Sequence, residues 1–468
     1  MEILNQIQHY GFWFLVVLTV LVFIHELGHF AVARWCKVRV EVFSIGFGPE
    51  LFGWTDRTGT RWKFSWLPLG GYVRMFGQDE NVIEGEAARP LSDAERAVSF
   101  KDKTVWQRMA IVVAGPAANF LFAIVVLAAV YLSIGKPYID PVVGVVTPGS
   151  AAADAGLQTR DRILSLNGSS IAEFGDIEII VQLNLDQPLA ITIDRAGKQI
   201  ELMAHPKVVP TKDLFGNSVR MAQLGIAPHL EPVIGEVVAE SAAAKAGLRA
   251  GDRIVMLNDV PVTDFGQVVT AVREKVDQPL AITVDRAGKP IQLTARPTIV
   301  EAKDDSGKTV RMPRLGIAAE ATQSRIEVGP IDATVAAGQE VYSQSVVMLT
   351  GLWQMVTGAR SSDDIGGVLR IAKMSGDVAQ IGIVSLILFS VMLSVNLGLI
   401  NLFPVPMLDG GHLVYYAVEA VRGKPLGQKV QEFGLKVGLA LVLSLMLFAT
   451  WNDLVYLKVV DFVKSLFT

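Results

Sequence analysis

Two histidines and a glutamate stand together in His25-Glu26-Leu27-Gly28-His29. Residues four apart share one helical face, so both imidazoles can reach a single metal ion, with Glu26 beside them as a base for a water molecule. The H-E-x-x-H string is short and arises by chance in soluble proteins, but here it interrupts an apolar run. Ionisable groups inside a membrane span are costly and survive mostly where they bind something. The bland alternative is a pair of helix histidines satisfied by hydrogen bonds. Two histidines leave a catalytic zinc ion one protein ligand short of the usual three. The favoured third ligand is Asp409, in Asn401-Leu402-Phe403-Pro404-Val405-Pro406-Met407-Leu408-Asp409-Gly410-Gly411-His412. Its prolines break a helix and let the backbone turn back toward the first motif. His412 is the rival ligand, or else a cap or orienting group.

These residues need elements to hold them. With 51% hydrophobic residues and a mean hydropathy of +0.40, the 468-residue chain is too apolar for an ordinary soluble enzyme. Four runs read as membrane spans: about Gly11 to Ala33, Met109–Gly135, Val378 to about Phe403, and roughly Val437–Leu457. No Lys or Arg precedes Gly11, whereas Arg34, Lys37, Arg39, Arg57, Arg61, Lys63 and Arg74 follow the first span. Arg422, Lys424, Lys429 and Lys436 lie between the third and fourth. Both loops are therefore expected in the cytoplasm, and the termini and the long middle segment in the periplasm. Arg34 comes about 7 Å beyond His29 along a helix, which sets the motif inside the bilayer toward the cytoplasm. The net charge of −4, without a basic cluster, argues against nucleic acid. The single Cys36 excludes an intrachain disulfide and a thiolate zinc site of its own. No secretory signal peptide is expected, since a basic n-region and a small-residue cleavage site are both missing.

The middle segment repeats itself without gaps. Ala155-Gly156-Leu157 returns as Ala246-Gly247-Leu248, an offset of 247 − 156 = 91. The offset also relates Asp161-Arg162-Ile163 to Asp252-Arg253-Ile254, and Asp194-Arg195-Ala196-Gly197-Lys198 to Asp285-Arg286-Ala287-Gly288-Lys289. Two tandem copies of one small α+β domain follow, with short β-branched strands and Ala-Gly-Lys turns. They resemble bacterial PDZ domains, which bind peptides along a strand edge; inert spacers are the alternative. Between Thr322 and Asp377 a connector is expected, with Val335–Met355 as an amphipathic helix lying on the membrane or packed on the repeats. In the first cytoplasmic loop, Val38, Val40 and Val42 alternate with Arg39 and Glu41, and Trp62, Phe64 and Trp66 follow the same pattern, so both stretches read as strands. Gly46-Phe47-Gly48-Pro49 and Pro68-Leu69-Gly70-Gly71 would bend them.

H-E-L-G-H in the first span, Ala114-Gly115-Pro116-Ala117-Ala118-Asn119-Phe120 in the second and N-L-F-P-x-P-x-L-D-G-G-H in the third resemble the site-2 protease family, in the family's order. The two repeats match its PDZ-bearing bacterial branch. The resemblance implies a polytopic α-helical membrane protein with four transmembrane helices, a membrane-associated β-loop region and two periplasmic α+β PDZ domains. It also implies intramembrane proteolysis with one Zn2+ per chain. His25, His29 and Asp409 would be zinc ligands, Glu26 the acid/base, and Asn401 a holder of the substrate backbone. Ile365-Gly366-Gly367-Val368 departs from the Ser-Gly-Pro frequent in relatives. The expected divisions are residues 1–135, 136–222, 223–317, 318–377 and 378–468. The expected substrate is a trimmed single-span protein, an anti-sigma factor or a remnant signal peptide, cut by a monomer in a bacterial inner membrane. The rivals are a non-enzymatic PDZ scaffold or chaperone, and a metal transporter, which would need a second set of intramembrane ligands.

Overall fold

The computed structural model describes residues 2–78, 91–184, 187–212, 218–238, 241–274, 278–303, 309–319, 324–358 and 366–456. The chain forms two compact units. One comprises Met1–Ser133, Gly329–Met348 and Ser362–Thr468; the other comprises Ile134–Val328 and Leu349–Ser361.

The first unit is built from α1 (Glu2–Trp35), β1 (Val40–Thr55), β2 (Arg61–Met75), α2 (Val105–Ile134), α4 (Val368–Ile381), α5 (Ile383–Asn401), α6 (Asp409–Arg422) and α7 (Gln428–Tyr456), together with the part of α3 (Pro330–Val356) up to Met348. Among the described residues four helices are long and apolar enough to cross a membrane: Gln8–Trp35, Val105–Ile134, Ile383–Asn401 and Lys429–Val455. The four expected spans are all present, and most run further than the apolar stretch, because backbone hydrogen bonding continues into flanking polar residues. The third differs. Instead of one helix from Val378, Gly382 stands at φ +146 and separates α4 from α5. Residue 378, expected to open the last division, lies inside α4. That helix packs along the N-terminal half of α1, where His9 Nε2 reaches the Gly376 carbonyl at 3.1 Å. Added bulk at Gly376 would meet the Tyr10 ring at 2.1 Å.

β1 and β2 are longer than the expected strands and fold back on themselves. Phe43 pairs with Val73 on one side and with Trp62 on the other, while Phe52 pairs with Phe64. The bends at the two glycine-containing stretches thus turn one hairpin into a four-segment sheet. Gly46 and Gly48 both adopt φ +89, which other L-residues rarely reach. Phe43 stacks on Trp62 at 4.3 Å and Phe52 on Phe64 at 4.6 Å, whereas Leu51, Trp54 and Trp66 stay exposed.

In the second unit each repeat forms a four-stranded antiparallel sheet and one ten-residue helix. The first sheet uses Arg162–Leu166, Ser169–Ser170, Leu189–Arg195 and Lys198–Ala204, with the helix Phe174–Leu183. The second uses Arg253–Leu257, Val260–Pro261, Leu280–Arg286 and Lys289–Ala295, with the helix Phe265–Glu274. Their cores superpose at the repeat offset: Ile163, Leu189 and Ile191 correspond to Ile254, Leu280 and Ile282, all buried. So do the ion pairs Asp161–Arg195 at 2.7 Å and Asp252–Arg286 at 2.6 Å. Ile226–Pro228 pairs with Val143–Val146, so chain beyond the expected division at residue 222 is still woven into the first repeat.

Candidate metal centre

Helical spacing brings the two imidazoles of α1 together, Nε2 to Nε2 at 3.2 Å, each residue 9% exposed. The partner carboxylate comes from the first residue of α6. Asn401 ends α5, the chain turns through Pro404 and Pro406, and Asp409 opens the next helix. Two glycines make that turn tight enough. A Cβ at Gly410 would lie 2.2 Å from the Phe403 carbonyl oxygen, and one at Gly411 would lie 2.4 Å from that of Val405. Met407 is held at φ +96, a strained value for a residue with a side chain. The result places Asp409 Oδ2 3.2 Å from His25 Nε2 and 3.5 Å from His29 Nε2.

His29 Nδ1 donates to the Ile111 carbonyl oxygen at 2.8 Å. A carbonyl can only accept, so Nδ1 carries the proton, and Nε2 of the neutral ring is a lone pair. That lone pair faces Asp409 Oδ2, which is buried without a hydrogen-bond partner. Such an arrangement is repulsive unless a cation lies between the atoms. A tetrahedral zinc ion with bonds of about 2.0–2.1 Å separates its ligand atoms by about 3.3 Å, in keeping with the three distances found. His25, His29 and Asp409 therefore fit zinc in donor type, spacing and charge.

Glu26 lines the same cavity, of about 1410 Å³. Asn401 and His412 also line it. His412 lies outside the three-ligand group and sits beside the rings of Tyr415 and Tyr416. Of the residues singled out in sequence, His25, His29 and Asp409 are thus brought together as one group, and Glu26, Asn401 and His412 stand around the same cavity. Ile365 of the departing stretch lies outside the described residues.

Three residues of α2 support the site and had no role assigned from the sequence. Ile111, Gly115 and Asn119 stand four apart on one face. A Cβ at Gly115 would lie 2.2 Å from His29 Nε2, so only glycine leaves room for the ring. The Asn119 side chain, fully buried, lies against the outer nitrogen of His25, Nδ2 to Nδ1 at 3.1 Å. The readable signal was a polar Asn119 in an uncharged span, eight residues after Ile111.

The chain matches the family described as peptidase family M50 over residues 13–445. It is 37% identical over 451 residues to the regulator of sigma-E protease RseP of Salmonella typhimurium, covering 94% of this chain and 97% of that protein. It is 35% identical over 458 residues to a protein of Rhizobium meliloti named as a candidate zinc metalloprotease, covering 97% and 99%. Among solved structures, the PDZ domain of an SdrC-like protein from Listeria monocytogenes matches 20% of this chain and 92% of its own, at 15% identity and a TM-score of 0.16. The family match and the near full-length relatives above 30% identity agree with the geometry of the centre: the chain belongs to peptidase family M50, the site-2 proteases, and is a protease of that family.

Proposed function

We propose that this protein hydrolyses peptide bonds within membrane-embedded segments of other proteins, with His25, His29 and Asp409 holding one zinc ion. The observation that carries the reading is the convergence of three ligand atoms, one a partnerless buried carboxylate oxygen, on a helix apolar enough to span a bilayer. When bound, zinc supplies a Lewis acid that polarises a carbonyl and acidifies water. Glu26 takes the proton from the attacking water and delivers it to the leaving amine. Asn401 offers both a donor and an acceptor to an extended substrate backbone. A bond inside an intact helix is shielded, so the substrate must be unwound, and an edge of the folded β1–β2 sheet can hold it by strand addition. The exposed Leu51, Trp54 and Trp66 suit contact with lipid.

The substrate class we favour is a single-span protein already shorn of its extracytoplasmic part. The Salmonella relative is named a regulator of sigma-E protease; an anti-sigma factor is the substrate we favour here, and leftover signal peptides have the same form. Arg and Lys counts around α1 and between α5 and α7 support a bacterial inner-membrane topology with both repeats, read as PDZ domains, in the periplasm. Substitution of Glu26 by Gln tests the mechanism: zinc content should persist while cleavage of a spanning peptide falls by about 10²–10⁴-fold. Robust proteolysis by that variant would remove Glu26 from the chemistry.

A further inference from the structure

His29 has its proton fixed by a backbone carbonyl, but His25 has no such partner. Its outer nitrogen faces a side-chain amide, which can present either oxygen or nitrogen by turning about Cγ. The amide belongs to Asn119, which is fully buried and tightly held. Ser394 of α5 donates to the Asn119 backbone carbonyl oxygen at 3.0 Å. A Cβ at Gly398 would come within 3.3 Å of Asn119 Cβ, so α5 presses the residue toward α1. Asn119 Oδ1 is buried with no hydrogen-bond partner.

We infer that Asn119 is a positioning residue that turns its amide oxygen to accept the Nδ1 proton of His25, leaving Nε2 as the lone pair aimed at the metal. The orientation found, with Nδ2 at 3.1 Å from Nδ1, would make Nδ1 the acceptor and put the proton on Nε2, against His29 Nε2 at 3.2 Å and Asp409 Oδ2 at 3.2 Å, so the inference requires the amide turned over about Cγ. A protonated Nε2 cannot ligate. With Ile111 serving His29 in the same way, one face of α2 sets the tautomers of both ligands. Partners of this kind orient metal-binding imidazoles, and losing one typically weakens metal binding by about 10–100-fold.

The inference rests on His25 being a zinc ligand, so one experiment must separate the two claims. Purified full-length wild type and the variants Asp409→Ala, Asn119→Ala, Asn119→Leu and Asn119→Asp are titrated with zinc against a chelator. They are then loaded with cobalt(II) for visible absorption spectra. If wild type binds no zinc, or Asp409→Ala binds it equally well, the metal-site reading fails first. If that reading stands, Asn119→Ala should lose about 10–100-fold in affinity with altered cobalt bands. Asn119→Asp, an obligate acceptor of nearly the same shape, should keep wild-type affinity or exceed it, with the wild-type spectrum. Asn119→Leu fills the volume without an acceptor and should fail like alanine, which serves if the alanine variant does not fold. Wild-type affinity and spectrum in Asn119→Leu, or a loss in Asn119→Asp equal to that in leucine, would overturn the inference.

Discussion

A carboxylate can be assigned to a metal from sequence only if something excludes its neighbours. Asp409 and His412 are three residues apart on α6, yet only Asp409 enters the group with His25 and His29. Its place at the first turn, ahead of Gly410 and Gly411, aims it back under the Pro404–Pro406 turn, whereas His412 lies one turn on among tyrosines. Replacing Asp409 with Ala should therefore abolish both zinc retention and cleavage, while His412→Ala keeps the metal. Metal analysis of the two purified variants decides this, and zinc lost from His412→Ala alone would reassign the ligand. Much of this centre was legible because H-E-x-x-H has helical geometry built in and an intramembrane carboxylate demands a cation. The support from Ile111 and Asn119 was not, since it depends on which face of a second helix crosses the first.

That crossing is a property of elements, set by small residues. A Cβ at Gly28 would lie 2.1 Å from the Ala114 carbonyl oxygen and 2.7 Å from the Ala118 Cβ, so α1 and α2 touch backbone to backbone. Gly115 sits at the same contact, facing both rings. Gly115→Ala should push the His29 ring aside and lower zinc affinity by about 10–100-fold without altering any ligand. Gly11→Ala, which has open space around it, should leave zinc binding unchanged. Chelator competition on both variants measures the difference, and equal affinities would show that the helices can part at no cost. Spans, repeat and strands were readable at this scale because each is a local pattern. The break at Gly382 was not: hydropathy records how apolar a stretch is, and Val378 to Phe403 is apolar on both sides of a backbone kink. Nor was the second pairing of Phe43, since alternation marks a strand but not how many neighbours it has.

Across the whole molecule, the second unit carries its own acid sensitivity. Burial raises the Asp252 carboxyl, but the Arg286 guanidinium and the Arg249 N–H outweigh it and hold the group below its ordinary value. A depressed carboxylate stabilises the fold fully above its unfolded pKa of about 3.9, and that contribution fades as pH falls through the lower folded value. Asp252→Asn should loosen the second repeat by about 1–2 kcal/mol at neutral pH, and the gap from wild type should narrow in acid. Hydrogen exchange of Arg253–Leu257, corrected for its intrinsic pH dependence, reads this directly; a gap constant with pH would assign the effect to packing.

The same unit poses the largest functional question, which is whether it takes part in cleavage or selects what is cleaved. The cluster of possible metal ligands, found among the described residues, lies wholly in the other unit, so the repeats supply no visible part of the chemistry. We expect them to act as a size filter that turns away substrates with a bulky folded extracytoplasmic domain and admits trimmed stubs. Near the two ends of the Ile134–Val328 part of the second unit, Lys136–Tyr138 pairs antiparallel with Ser324–Ile326. Joining Tyr138 to Ser324 through a two-residue turn keeps that pair as a hairpin while removing both repeats. The shortened protein should retain zinc and cut stubs at the wild-type rate, and should also cut substrates with intact ectodomains, which the full protein should refuse. Both substrates must be tested on both proteins, because a misfolded membrane unit would fail on stubs as well. Normal stub cleavage with continued refusal of the intact substrate would put the filter in the membrane unit and leave the repeats as docking modules.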